Sequence, residues 1–163
     1  MKKLPAKSRV YVCHTYYHVY VSFLKEMNLP KEQRGQADLI LSTMTTTFES
    51  IKGRIEDSGV FHQVIMFDEK RDDFFPELAP YMNMQGNQLK IMLGRIKYTK
   101  MYGKLEEPYI PVDFKEYQDI YVYCDSDPIG FYLNYKKIYY HAVEDGLNTL
   151  KYCDAARYRN QRF

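Results

Sequence analysis

Near the carboxyl end of this 163-residue chain, the apolar run 138–143 gives way to Glu144, Asp145 and Gly146. Two adjacent carboxylates and a glycine can form an ordinary turn, because acids stabilise the positive start of a helix and glycine tolerates turn conformations. They can equally supply a general base. A carboxylate placed here could take the proton from an acceptor hydroxyl during group transfer, with burial and the neighbouring acid raising its pKa toward the useful range. His14 and His18 lie four residues apart, which on a helix puts both on one face. Metal ligation would need more than this pair: the glutamate of an H-E-x-x-H motif is absent and no third ligand is apparent. A helix-start contact, a substrate contact and a structural histidine are the other readings. Asp125, Ser126 and Asp127 precede Pro128. Paired aspartates can hold Mg²⁺ or Mn²⁺ through oxygen. The same residues suit the start of a helix, with Ser126 or Asp127 as N-cap and the proline in the first turn.

An alternation of strands and helices must position these groups. Strands are predicted at 9–13, 37–42, 61–67, 119–124 and 138–143, where β-rich or apolar runs occur. Between the first two, "YYHVYVSFLKEMN" carries apolar residues at helical spacing. Between the next two, "TTTFESIKGRIEDSG" reads as a helix capped by Thr46 or Thr47 and ended by Gly59. The charged stretch "DEKRDDFFPELAPYMNMQGN" reads as a long loop. A helix over 88–104 follows, with Leu89, Leu93 and Ile96 on one side and Lys90, Arg95, Lys97, Lys100 and Lys104 over the rest. That basic surface is a solvated face, or a contact for anionic lipid or an acidic glycan. "SDPIGFYLNYKK" opens another helix, and "LNTLKYCDAARY" can form a last one. Near-continuous apolar strands alternating with helices define an α/β fold: a Rossmann-like three-layer sandwich with a mainly parallel five-stranded sheet. In such a sheet, ligands gather outside the carboxyl ends of the strands where strand order reverses. The polar ends of the first, fourth and fifth strands are therefore expected to converge.

The totals narrow the function classes. At 163 residues the chain suits one domain, and its 23 basic against 21 acidic side chains give no electrostatic case for a nucleic-acid partner. No G-x-G-x-x-G follows the first strand and no Walker-type phosphate loop exists, so a glycine-rich nucleotide cradle is not supported. Three well-separated cysteines match no zinc pattern and suggest reduced thiols. No apolar run approaches the ~20 residues that span a bilayer, and the start lacks the apolar core of a secretory signal. A cytoplasmic protein is expected, with any membrane contact peripheral and at the inner face. The 17 tyrosines offer flat faces with polar tips, useful for sugars or simply for half-buried packing.

Two stretches carry a family resemblance. "VYVCHTYYHVYVSFL" is an opening strand followed by a helix rich in aromatic and histidine residues, and "YYHAVEDGLNTL" places an acid-acid-glycine motif after a late strand. With these the chain resembles the amino-terminal domain of bacterial GT-B glycosyltransferases of the sialyltransferase type, namely glycosyltransferase family 52 and the capsule polysialyltransferases. The resemblance covers essentially the whole chain and only the first domain of such enzymes. It implies that Asp145 is the general base for the acceptor hydroxyl, with Glu144 and Gly146 completing the motif. It implies a CMP-activated sugar donor, a surface glycan acceptor, inversion at the anomeric carbon, and no metal or other cofactor. His14, Thr15, Tyr17 and His18, with Asp125 and Ser126, would then border the substrate cleft. Those enzymes hold CMP mainly in a second domain through a His-Pro motif and a serine pair, neither of which occurs here. Residues 1–163 are thus expected to form a single domain matching the amino-terminal half of a two-domain enzyme. The face a second domain would cover could support self-association. The alternative is a non-catalytic glycan-binding or protein-interaction module derived from such a domain.

Overall fold

A computed structural model describes residues 7–44, 46–82 and 86–143. The elements run β1 (Lys7–Cys13), α1 (Tyr16–Met27), β2 (Ala37–Ser42), α2 (Glu49–Asp57), β3 (Gln63–Phe67), α3 (Ala79–Met82), α4 (Gln88–Glu106), β4 (Tyr117–Val122), α5 (Pro128–Lys136) and β5 (His141–Ala142). The five strands form one sheet in the order β3-β2-β1-β4-β5, and each neighbouring pair is parallel. The α/β, Rossmann-like architecture expected from the alternation is the one observed.

Both sheet faces are covered, which is why the central strands read as unbroken apolar runs. Every residue of β2 is buried. Side chains alternate across β1. Val10 and Val12 join Ile40, Phe67, Ile120, Val122, Ile129 and Leu133 on one face, under α5. Tyr11 and Cys13 join Val19, Leu39, Leu41, Phe48, Ile55 and Val64 on the other, under α1 and α2. Burying side chains of this size is worth ~1.5–3 kcal/mol each before conformational entropy is subtracted. At the opposite end of the sheet from the candidate site, Glu26 of α1 is fully buried and takes a two-pronged bond from Arg9 (2.8 and 3.0 Å) plus the Tyr11 hydroxyl (2.7 Å). That network fixes how α1 lies on β1.

Two glycines permit close backbone approach. A Cβ at Gly130 would sit 1.9 Å from the Asp125 carbonyl oxygen, so the first turn of α5 tucks directly beneath the loop that follows β4. A Cβ at Gly103 would sit 2.4 Å from the Phe131 carbonyl, so α4 and α5 cross nearly in backbone contact.

Several local expectations need correction. The fifth strand is two residues long rather than six, because it is an edge strand that only reaches β4 at Tyr121 and Val122. Neither Thr46 nor Thr47 caps α2; Phe48 takes the N-cap position with no side-chain capping bond, and its fully buried ring anchors the turn instead. The long loop after β3 contains 3-10 turns at Asp72–Phe74 and Pro76–Leu78, then α3. Leu89, Leu93 and Ile96 do not face the core: α4 packs through Gly94, Tyr102, Gly103 and Glu106. Among the described residues, no helix is long and apolar enough to cross a membrane. The helix expected after Gly146 lies outside the described residues.

Candidate functional site

Strand order reverses between β1 and β4, so the crevice outside their carboxyl ends is the place where a sheet of this kind takes a ligand. Glu69, two residues beyond β3, organises that edge. Its side chain has no solvent exposure. It accepts the His14 ring at Nε2 (2.7 Å), the Ser42 hydroxyl (2.6 Å) and the backbone amide of Ile129 (2.7 Å). Groups from the ends of β1 and β2, the loop after β3 and the first turn of α5 thus meet on one carboxylate. A carboxylate only accepts, so His14 carries its proton on Nε2. The same nitrogen lies 3.6 Å from Asp127 Oδ2.

This arrangement revises the expected start of α5. Asp127 occupies the N-cap position, but its side chain makes no capping bond. Glu69 caps the helix from across the sheet, and the positive helix end in turn favours a buried anion there.

His18 sits beneath this cluster. Its Nδ1 accepts the His14 backbone N–H (3.1 Å), and its ring stacks on Tyr123 at 4.6 Å and 6°. The Tyr123 hydroxyl pairs with Ser22 at 2.9 Å, and Ser22 donates to the His18 carbonyl at 2.8 Å. Cys124 completes a trio with His14 and His18 whose ligand atoms lie within 4.8 Å of one another. This is the third ligand-type residue that spacing alone did not reveal. The hydrogen bond at His18 disfavours a metal held by the whole trio, however. A nitrogen that accepts a backbone N–H is unprotonated, so neutral His18 bears its proton on Nε2 and offers a donor there, not a lone pair. Ligation through Nε2 would first have to break the His14 N–H···Nδ1 bond. The trio reads better as a thiol–imidazole cluster in which Glu69 orients His14 and the His14 amide orients His18.

The other residues singled out in the sequence fall at the rim. Thr15 is the N-cap of α1 and accepts the His18 amide at 3.3 Å. Tyr17 is exposed and makes a T-shaped contact with the His18 ring at 6.1 Å. Asp125 is exposed and accepts the Tyr140 hydroxyl at 3.4 Å. Ser126 lines an open cavity of about 290 Å³ whose other walls include Arg71, Tyr98, Tyr102 and Phe131. Glu144, Asp145 and Gly146 lie outside the described residues; in the sequence, Asp145 comes three positions after the end of β5.

Sequence reading missed Glu69, Ser42 and Glu106. The signal for Glu69 was present: "DEK" follows β3 directly, and the strand-end rule applied to that strand would have named it. Glu106, on α4, is fully buried. Its Oε1 accepts the Lys70 amide at 3.0 Å, and Oε2 has no hydrogen-bond partner among the described residues. Burial, with Glu69 nearby, pushes its carboxyl up to about 7 from an ordinary 4.5. The folded protein therefore holds a proton that the unfolded chain releases between these values. The resulting stabilisation is complete below pH 4.5 and disappears as pH rises through about 7. Glu106→Gln should flatten that dependence. In urea titrations the variant should match wild type near pH 4.5 and exceed it near pH 8 by on the order of 2 kcal/mol. Parallel wild-type and variant curves across this range would exclude the assignment.

The fold and this edge define a Rossmann-like α/β domain with a polar cleft at its topological switch point. No protein-family model matches the chain, and neither the curated proteins nor the solved structures give a significant match.

Proposed function

We propose that this chain is the acceptor-side domain of a sialyltransferase-like GT-B glycosyltransferase, moving a sugar from a CMP-activated donor to a glycan with inversion. The observation that carries the reading is the gathering of β1, β2, β3 and α5 on Glu69 at the switch-point edge, beside the open cavity lined by Ser126, Arg71, Tyr98 and Tyr102. The cavity suits a sugar: aromatic faces accept its apolar surface, while an arginine and a hydroxyl address its polar groups. The cleft floor is held by buried bonds rather than by exposed loops, as a site that must orient a reacting hydroxyl requires. In this reading Asp145 is the base, Glu144 and Gly146 shape its turn, and a second domain holds most of the donor. His14 and His18 act from beneath the cleft by fixing its floor, and Tyr17, Asp125 and Ser126 supply its rim. The setting is the cytoplasmic side of the cell, where CMP-sugars would be met.

The test is transfer itself. Incubated with CMP-sialic acid and candidate glycans, the intact protein should release CMP only when an acceptor is present. NMR of the product should show the anomeric configuration inverted. Glycan binding without CMP release would assign the chain to the binding-module class instead.

A further inference from the structure

Helix α4 presents apolar residues on two faces. Tyr98, Tyr102 and Leu105 pack toward Phe75, Leu78 and Phe131. Leu89, Met92, Leu93 and Ile96 recur at i, i+3, i+4 and i+7 on another face and are 67%, 51%, 56% and 46% exposed. This second face is uncovered because α5 crosses α4 near Gly103, at the far end of the helix. The strip is ~10 Å long at 1.5 Å rise per residue. Scattered exposed apolar residues need no explanation; four in register on one helix face do. Charge is organised beside it. Lys90, Lys97 and Lys104 repeat at seven-residue intervals and so form a row along one flank, with Lys100 and Arg95 also exposed. The one acid of α4 is Glu106, which is buried. The exposed helix is thus basic and apolar together.

We infer that this face of α4 docks on an anionic lipid surface, with Leu89, Met92, Leu93 and Ile96 at the boundary of headgroups and acyl chains and the lysine row on the headgroups. An exposed apolar strip flanked by lysines gains, at such an interface, from both apolar burial and attraction to anionic lipid. Charge complementarity selects this occupant. A second copy seated face to face would bring two lysine rows together with no acid to oppose them. An acidic glycan would match the lysines and leave the apolar strip in water. The inference does not depend on the sugar-transfer reading.

The test mixes the full chain with sucrose-loaded vesicles, either pure phosphatidylcholine or with about a third phosphatidylglycerol, at about 0.1 M salt. The expected result is sedimentation with the anionic vesicles at least ~10-fold more strongly than with the neutral ones, weakening as salt rises. Lys97→Ala should weaken partitioning about fivefold and Leu93→Asp at least ~10-fold. Both residues are exposed, so thermal melts should match wild type. Failure to prefer anionic vesicles, or variants that partition like wild type, would overturn the inference. Concentration-dependent self-association abolished by Leu93→Asp, without vesicle binding, would assign the face to a second copy and overturn it too.

Discussion

Glu69→Ala should destabilise the protein by about 3–5 kcal/mol, because each buried donor left without an acceptor costs ~1–3 kcal/mol. The substitution strands three donors at once: the His14 ring, the Ser42 hydroxyl and the Ile129 amide. None can turn to water, because His14 and Ser42 are buried and the amide lies at the base of α5. It also removes the anion from the positive end of that helix. Glu69→Gln keeps the shape and one acceptor oxygen, so it should cost less. Its amide group would still oppose a donor, unless His14 switches its proton to Nδ1. Ser42→Ala, which removes one neutral donor, should cost ~1 kcal/mol. Urea unfolding with unchanged slope gives the ordering Ala, then Gln, then Ser42→Ala. A Glu69→Ala loss below about 1 kcal/mol would mean that the carboxylate is not the organising group.

Under the proposed sugar-transfer reading, Asp145→Asn should lower transfer 10²–10⁴-fold, the ordinary cost of losing a general base. Asparagine fills the same volume and can hydrogen-bond the acceptor hydroxyl, but it cannot take the proton. The loss should therefore appear in kcat, with donor binding preserved. Glu144→Gln, which leaves the base in place, should cost much less. If Asp145→Asn stays within about tenfold of wild type, the base lies elsewhere.

The sequence made some elements plain and hid others for physical reasons. β2 appears at 37–42 as read, because a strand buried on both faces has one continuous apolar signature. Helix α4 was also legible as a helix, but its packed face was not. Two apolar faces share one periodic pattern, and only the tertiary partners decide which one is covered. β5 was read too long because Ile138 and Tyr140 are apolar for another reason: they pack against the core while the chain travels from α5 to the sheet edge. The convergence at the sheet edge followed from topology and could be anticipated. Helix-capping rules do not pick the residue at its centre; only the strand-end rule applied to β3 points to Glu69. Capping logic names the nearest acid, Asp127, whereas the acid that caps α5 lies 60 residues upstream of Ile129. His14 and His18 stood out as a pair; their roles, one oriented by a carboxylate and one by a backbone amide, depend on contacts that spacing does not encode.

Glu69 also bears on the order in which the protein assembles. Its bonds to His14 and Ile129 span 55 and 60 residues in opposite directions along the chain. Each closes a long loop, so chain entropy must be spent before the contact is gained. A chain emerging from its amino end can bring β1, β2 and β3 together around this carboxylate, but the last donor exists only once α5 has formed. The floor of the cleft is therefore a late product of folding. It is also the seam that joins the β1–β3 side of the sheet to the β4–α5 side, so a chain cut between them leaves Glu69 without its Ile129 partner.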